Sequence, residues 1–355
     1  MKDQGFAIRH RLLVLLSAAI AALVLSAGPH GQSVVAASDR MWFAPSPGSI
    51  DYLDLFTRPD EWPLARQLVS VFKFYQQHTQ TPAPALVGPN TYDALVRANA
   101  FRLLTSWHKA IAIEAGAVKD FYCTPDASGM NAAIAVTVAS IQAVQAAGGT
   151  VGYVSMDDPF ASGQATVCGG PALEPTADRI ATYVHAVGAA FPGMRIGFSE
   201  AFPLLSEPSL ERALDLLIAR AAAPAFLHVD VDSRALVRFG ADFTRDMRAL
   251  SQACRARGVA FGVILWGYNG DADALYAADA GAVAREVGAA FPTWEDMPDN
   301  LIVQSWAVSS TGLAITPSNL PEDQLDTHTN LVRQFWHQFR GQTAPPVDTA
   351  VKKRP

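Results

Sequence analysis

Residues Val151–Pro159 read VGYVSMDDP, a short apolar run that ends in two acids and a proline. Two later segments have the same form: Arg195–Ala201 reads RIGFSEA, and Ala225–Asp232 reads AFLHVDVD. Short apolar runs of this kind are typical of strands that are buried on both faces of a parallel sheet. Acids at the ends of three consecutive strands are difficult to explain by packing alone, so they indicate a polar site where the strands end.

Eight such runs alternate with helical patterns along the chain. Alternation of strands and helices predicts parallel strands with right-handed crossovers, and eight repeats predict an α/β protein with a single (β/α)8 TIM barrel. The alternative is an open doubly wound sheet, but Pro45–Ile50 after the first run lacks that fold's usual glycine-rich phosphate turn. The predicted strands are Arg40–Ala44, Val71–Tyr75, Ala110–Glu114, Val151–Met156, Arg195–Ser199, Ala225–Val231, Ala260–Trp266 and Leu301–Trp306.

The segments between the strands have the apolar spacing of helices. Asn90 followed by Asp93 predicts a capped start for a helix over Thr91–Trp107. Gly258 predicts the end of a helix over Asp242–Arg257. The other predicted helices are Met130–Ala147, Ser209–Ala222, Asp271–Phe291 and Asp326–Phe339.

The N-terminus has the pattern of a targeting segment. Lys2, Arg9 and Arg11 precede an apolar stretch over 12–25, which is typical of a secretory signal and shorter than the roughly 20 residues of a membrane span. We expect a signal peptide over 1–37, the barrel over 38–340 and a disordered, proline-rich tail over 341–355. The protein is then secreted or periplasmic and makes no stable membrane insertion after signal cleavage, because no later segment is expected to span a bilayer. An uncleaved anchor is the alternative.

Charge and cysteine content limit the partners and the compartment. A formal net charge of −6 disfavours nucleic acid and anionic lipid surfaces and favours a neutral substrate. Export permits disulfides. Cys123 and Cys168 follow the third and fourth strands, whose loops are neighbours, so we predict a disulfide between them. Cys254 lies on an apolar helical face and is predicted to be a buried free thiol, and the spacing of the three cysteines fits no metal site.

Alternation of side chains along each strand predicts which residues face the barrel axis. His228, Asp230 and Asp232 share one face of the sixth strand. Lys73 on the second strand needs an anionic partner inside a barrel, and Glu114 is a suitable one. For Asp230 and Asp232, a structural network with Lys73 or Arg234 is the alternative to a catalytic role. Residues of the seventh and eighth strands complete the predicted site: Trp266, Gln304 and Trp306.

Acids beside flat aromatic rings suit a carbohydrate, because sugar CH groups stack on the rings and hydroxyl groups bind carboxylates. The chain resembles the exported (β/α)8 glycoside hydrolases, many of which end strand four in Asn-Glu-Pro where this chain has Asp157-Asp158-Pro159. The resemblance implies that Asp158 is the acid/base. That clan also has a glutamate at the end of strand seven, where Ile264–Tyr268 contains no acid. A strand-four Asp with a strand-five Glu, here Glu200, instead resembles the alpha-amylase arrangement.

The predicted function is a secreted glycoside hydrolase that uses paired carboxylates, needs no cofactor or metal, and acts on an oligo- or polysaccharide. Two alternatives stay open. One is an enzyme that depends on a divalent metal held by Asp157, Glu200, His228 and Asp230. The other is a carbohydrate-binding barrel without catalysis, which the missing strand-seven acid favours. The predicted catalytic residues are Asp158, Glu200 and Asp230, and the predicted substrate-binding residues are Asp157, Asp232, Lys73, Glu114, Trp266, Gln304 and Trp306.

Overall fold

Eight parallel strands close into a barrel, in which each strand pairs with its neighbours in sequence and β8 pairs with β1. The predicted (β/α)8 barrel is confirmed. The computed structural model describes residues 40–117, 119, 127–163, 172–312 and 315–341. The strands are β1 Met41–Ala44, β2 Val71–Tyr75, β3 Ala110–Ala115, β4 Val151–Asp157, β5 Arg195–Phe202, β6 Phe226–Val231, β7 Ala260–Leu265 and β8 Asn300–Gln304.

Helices cover the outside of the barrel, and their apolar faces pack with the outward-facing strand residues into one large core. Short 3₁₀ segments lie at Pro59–Glu61, Gln76–Thr79 and Ala85–Val87. The α-helices are α1 Asp54–Thr57, α2 Pro63–Leu68, α3 Tyr92–Arg97, α4 Ala100–Ser106, α5 Ala127–Ala146, α6 Pro159–Gly163, α7 Leu173–Ala190, α8 Glu207–Ala219, α9 Leu236–Phe239, α10 Phe243–Ala256, α11 Asp273–Ala290 and α12 His328–Phe339.

All eight strands overlap their predicted positions, with differences of up to three residues at their ends; β8, for example, ends at Gln304, two residues before its predicted end. β5 continues to Phe202, three residues beyond its predicted end. The helix predicted over Thr91–Trp107 is two helices, α3 and α4, because Asn99 adopts a left-handed conformation with φ 59° and interrupts the run. The side chain of Thr91 caps α3. The Asn90 side chain instead donates to two carbonyl groups of the β1–α1 loop.

The lower interior of the barrel is apolar. Two glycines make room for it: a Cβ atom at Gly197 would lie 2.5 Å from the carbonyl oxygen of Phe226, and one at Gly262 would lie 2.6 Å from Cδ2 of His228. The apolar layer consists of Trp42, Val71, Ala112, Tyr153, Phe226, Ile264 and Ile302. The polar side chains Lys73, Glu114 and Gln304 lie two residues further along their strands than residues of this layer, towards the C-terminal ends.

Helix α5 corrects one expectation about membranes. By length and composition it is able to cross a bilayer, although no segment after the signal was expected to do so. In this structure α5 is part of the outer helical layer. Its Thr137 hydroxyl accepts a hydrogen bond from Gln76 Nε2 at 3.0 Å and lies 2.6 Å from the hydroxyl of Tyr183 on α7.

Cys254 is free and buried on α10, as predicted. Burial raises the pKa of its thiol to about 12, so the thiol is unreactive in the folded protein. Cys123 and Cys168 lie outside the described residues, as do the predicted signal peptide over 1–37 and residues 342–355 of the tail.

Candidate active site

The C-terminal end of the barrel carries a group of half-buried residues that we call the barrel mouth: Asp157, Asp158, Asp230, Trp266 and Trp306. Asp157 is the last residue of β4 and Asp158 follows it, while Asp230 is the penultimate residue of β6. Trp266 directly follows β7, and Trp306 is the second residue after β8. In a parallel barrel these ends meet on one face, which is where catalytic side chains of such barrels lie.

A buried polar network forms the floor of the mouth. Lys73 forms an ion pair with Glu114, which confirms the predicted pairing. Gln304 Nε2 donates to Glu114 Oε2 at 3.1 Å and to the Tyr75 hydroxyl at 3.2 Å. The Tyr75 hydroxyl in turn donates to the Ser305 carbonyl oxygen at 3.0 Å. The charge of Lys73 is therefore matched inside the barrel, beneath the half-buried acids.

Asp158 and Asp230 are the acids at the mouth whose ionisation is most disfavoured. Burial raises the pKa of Asp158 to about 7, and the charge of Asp157 adds to the shift while Lys119 opposes it. Burial also raises the pKa of Asp230, with further contributions from Asp158 and Asp157. Lys119 pairs with Asp157. Among the described residues, no cation forms a salt bridge with Asp158 or Asp230, so the protonated form of each is favoured relative to a carboxyl group in water.

The backbone at Asp158 is strained. Its φ of 45° lies in the left-handed region, which is uncommon for a residue other than glycine although Asp and Asn tolerate it best. The amide of Asp158 donates to the Ser199 carbonyl oxygen at 2.9 Å, and its own carbonyl oxygen accepts from the Ser162 amide at 3.0 Å. These bonds on both sides of the residue hold the strained turn in place, and such strain is concentrated at functional sites.

The two tryptophans form a stacked pair. Their ring centroids are 4.7 Å apart and the planes differ by 29°. The indole N–H of Trp266 donates to the Val231 carbonyl oxygen at 3.1 Å, which fixes that ring to the end of β6. Because both residues are half-buried, part of this aromatic surface is open beside Asp230 and is suited to contact the CH face of a ring-shaped ligand.

Glu200 does not face the mouth, although the charge of Asp158 adds to the rise of its pKa. Because β5 continues to Phe202, Glu200 lies within the strand on the outward face that it shares with Phe198. It is fully buried, and its two carboxylate oxygens accept from the amides of Phe160 and Ala161 at 2.5 Å and 3.0 Å. Burial raises the pKa of Glu200, against these two hydrogen bonds. Its observed role is to hold the first turn of α6, directly after Asp158.

Asp232 also lies apart from the other acids. It follows the end of β6 and is 37% exposed. Two hydrogen bonds of 2.8 Å and 2.9 Å join it to the guanidinium group of Arg234, which holds the pKa of Asp232 below its usual range. Arg234 in turn lies over the ring of Tyr268 at 4.3 Å. This arrangement is the structural network with an arginine that the sequence left open as an alternative.

The four proposed metal ligands do not converge. His228 lies one layer below the mouth, fully buried, with Nε2 3.1 Å from Asn300 Oδ1. Burial lowers the pKa of His228 to about 3, so its ring is neutral. Glu200 faces outward and Asp157 is paired with Lys119. Within the described ranges, no three His, Cys, Asp or Glu side chains come together as metal ligands would.

Sequence reasoning missed one residue of the mouth, Lys119. It lies four residues beyond β3, and it neutralises Asp157 and lowers the pKa of Asp158. A lysine in the loop after a neighbouring strand was the available signal. Its partner was not predictable, because loops after barrel strands follow no repeating pattern of side-chain direction.

Comparison with known proteins yields structural neighbours only: no protein-family model and no curated protein matches the chain. An endo-β-1,4-mannanase double mutant from Cellulomonas fimi aligns with a TM-score of 0.49 and 12% identity over 83% of this chain and 71% of the mannanase. A glucosidase from Croceicoccus marinus aligns with a TM-score of 0.43 and 16% identity, over 75% of this chain and 57% of the glucosidase. A putative deoxyribose-phosphate aldolase from Toxoplasma gondii ME49 aligns with a TM-score of 0.46 and 9% identity, over 88% of this chain and 97% of the aldolase. Glycosidases and aldolases are thus both among the neighbours, and at these values the comparison does not choose a reaction.

Proposed function

We propose that this chain is an exported glycoside hydrolase whose catalytic pair, Asp158 and Asp230, shares one proton: Asp158 is the general acid when it holds the proton, and Asp230 is then the ionised base, because a neutral Asp158 no longer raises the pKa of Asp230. The observation that carries the proposal is that these two carboxyl groups, at the mouth of the barrel, have no salt-bridge partner among the described residues. Cleavage of a glycosidic bond needs one protonated and one ionised carboxyl group. The neighbouring acids are already engaged, Asp157 by Lys119 and Glu114 by Lys73.

The strand positions of the two acids favour an inverting reaction. Asp158 follows β4 and Asp230 lies on β6, with β5 between them. Two strand spacings of about 4.8 Å each amount to about 10 Å between their backbones. Side chains that lean towards the barrel axis shorten this gap into the range of about 6.5–9.5 Å that admits a water molecule between carboxylate and sugar.

In the proposed reaction, Asp158 gives its proton to the glycosidic oxygen as the bond from that oxygen to the anomeric carbon breaks. Asp230 takes a proton from a water molecule, whose oxygen forms the new bond to the anomeric carbon from the opposite face. The raised pKa of Asp158, about 7, keeps it protonated in weak acid. The stacked Trp266 and Trp306 would bind the sugar ring by its CH face.

A screen for released reducing ends tests this proposal, with carboxymethyl cellulose, galactomannan and chitosan as substrates. We expect Asp158→Asn and Asp230→Asn each to lower kcat by at least about 100-fold, the usual contribution of a positioned acid or base. Asp178→Asn, which changes an exposed acid on α7, is the matched control and should keep the wild-type activity. Unchanged turnover in both aspartate variants would refute the assignment.

A carbohydrate-binding protein without catalysis is the second candidate, favoured by the lack of an acid after β7, where Trp266-Gly267-Tyr268 follows the strand. In that case Asp158→Asn would leave polysaccharide binding unchanged and no substrate would be cleaved.

The chelator EDTA should leave any activity unchanged, because the proposed reaction uses protein carboxyl groups alone. Export by the N-terminal signal, to the periplasm or the medium, is part of the same proposal.

A further inference from the structure

A cavity of about 500 Å³ opens between the segments that follow β5 and β6, at the same end of the barrel as the mouth. We call it the β5–β6 pocket; its volume is in the range of small-molecule sites, about 300–1,000 Å³. None of the catalytic candidates lines it. The lining residues used below are Phe202, Leu204, Glu207, Phe239, Arg245 and Asp246.

One wall of the pocket is apolar and unusually open. Phe202 is buried at its base, whereas Leu204 is 60% exposed and Phe239 is 48% exposed. Phe239 belongs to the short helix α9 and Leu204 to the turn after β5. Two large apolar side chains held open on either side of a concave surface are typical of a ligand-binding site.

The other wall is polar but carries little net charge. Arg245 Nε donates to Asp246 Oδ1 at 2.6 Å, so these opposite charges are paired while most of the guanidinium group stays exposed. Burial raises the pKa of Glu207 to about 7, and the neighbouring Glu211 carboxyl group adds to the rise, so the charge of Glu207 is easily neutralised. A neutral ligand with many hydroxyl groups fits this wall better than an ion does, because carboxyl and guanidinium groups bind hydroxyls by hydrogen bonds.

The pocket is adjacent to the aromatic pair of the mouth. The Phe202 carbonyl oxygen, at the pocket, accepts from the Asp232 amide at 2.8 Å. The carbonyl oxygen of Val231, the residue before Asp232, accepts a hydrogen bond from the indole N–H of Trp266. Only the end of β6 separates the pocket from Trp266, a distance of about two strand spacings or 10 Å.

We propose that the β5–β6 pocket is a second carbohydrate-binding site that holds a distal sugar unit of a polymeric substrate, with Phe239 and Leu204 against the sugar ring. This inference rests on the proposed function, and it adds that the substrate is a polysaccharide longer than the mouth alone accommodates. Binding at the pocket contributes to affinity for long chains and takes no part in bond cleavage.

Native affinity electrophoresis tests the pocket, in gels that contain hydroxyethyl cellulose, galactomannan or glycol chitosan. We expect at least one polymer to retard the wild-type protein, and both Phe239→Ala and Leu204→Ser to raise the apparent Kd for that polymer at least threefold. Val237→Ala is the matched control, because Val237 lies on the same helix as Phe239, is 92% exposed and does not line the pocket. Thermal unfolding of each variant verifies that it is folded.

The proposal is overturned if none of the three polymers retards the wild-type protein, or if Phe239→Ala and Leu204→Ser are retarded as strongly as the wild type. The assay separates this inference from the proposed reaction. If the two variants lose retardation while no polymer is cleaved, carbohydrate binding at the β5–β6 pocket is supported and the proposed hydrolysis is refuted. If a polymer is cleaved and the two variants bind it and cleave it as the wild type does, the proposed hydrolysis is supported and carbohydrate binding at the pocket is refuted.

Discussion

Substitution of Asp158 by asparagine should raise the melting temperature of the protein at pH 8 and leave it unchanged near pH 4. The pKa of Asp158 is raised from 3.8 to about 7 in the fold, with burial as the first cause and the charge of Asp157 as the second. A group whose pKa is raised by folding contributes its full stability at a pH below its pKa in the unfolded chain. That contribution is lost as the pH rises through its pKa in the folded protein. Asparagine preserves the shape, tolerates the left-handed backbone and carries no charge at any pH.

The size of the effect follows from the shift. About three pKa units correspond to about 4 kcal/mol, and relaxation around a half-buried, coupled group reduces this to about 2 kcal/mol. For a domain of this size the change is about 4 °C in Tm. We expect Asp158→Asn to melt with the wild type near pH 4 and about 4 °C above it at pH 8.

Differential scanning calorimetry between pH 4 and pH 8 measures this difference directly. Asp178→Asn is the control, because Asp178 is an exposed acid on α7 whose side chain is 67% accessible. Its Tm should show no such rise relative to the wild type as the pH increases. A difference for Asp158→Asn that is the same at every pH would show that Asp158 ionises freely, and its assignment as the general acid would then fail.

Two other predictions concern the buried pair in the floor and the cysteines. Lys73→Met should lower the free energy of unfolding by about 3–5 kcal/mol because it leaves the Glu114 carboxylate buried without a cationic partner; the double variant with Glu114→Gln should recover part of the loss, and urea unfolding that shows no recovery would contradict a direct coupling. Titration with Ellman's reagent should detect no thiol in the folded protein and one thiol per chain, Cys254, after unfolding without reductant; three thiols would rule out the predicted Cys123–Cys168 disulfide.

The barrel was predictable because its evidence is repeated eight times. Each strand is a short apolar run bounded by turn residues, and errors of a residue or two at its ends leave the topology unchanged. The buried ion pair in the floor of the mouth was also predictable from the sequence. Side chains alternate along a strand, so Lys73 necessarily faces inward when Phe72 and Phe74 face the helices, and a buried lysine needs an acid.

The errors arose where a strand end decides the direction of a side chain. Glu200 was predicted to lie beyond β5, in a loop from which it would reach the mouth. The strand instead continues to Phe202, and alternation directs Glu200 outward. A shift of one residue moves a side chain to the other face, and nothing in the local sequence fixes where a strand ends. The partner of Asp157, Lys119, depends on a loop conformation that has no periodic signal.

The anomeric form of the first product tests the central claim most directly, since it reports the placement of the two carboxyl groups on β4 and β6. Proton NMR during the first minutes of polysaccharide hydrolysis by the wild-type protein gives this form before the anomers equilibrate. We expect the product to have the anomeric configuration opposite to that of the substrate linkage, and we expect no product from Asp158→Asn or Asp230→Asn. Retention of configuration, or product release by both variants at the wild-type rate, would contradict catalysis by this pair.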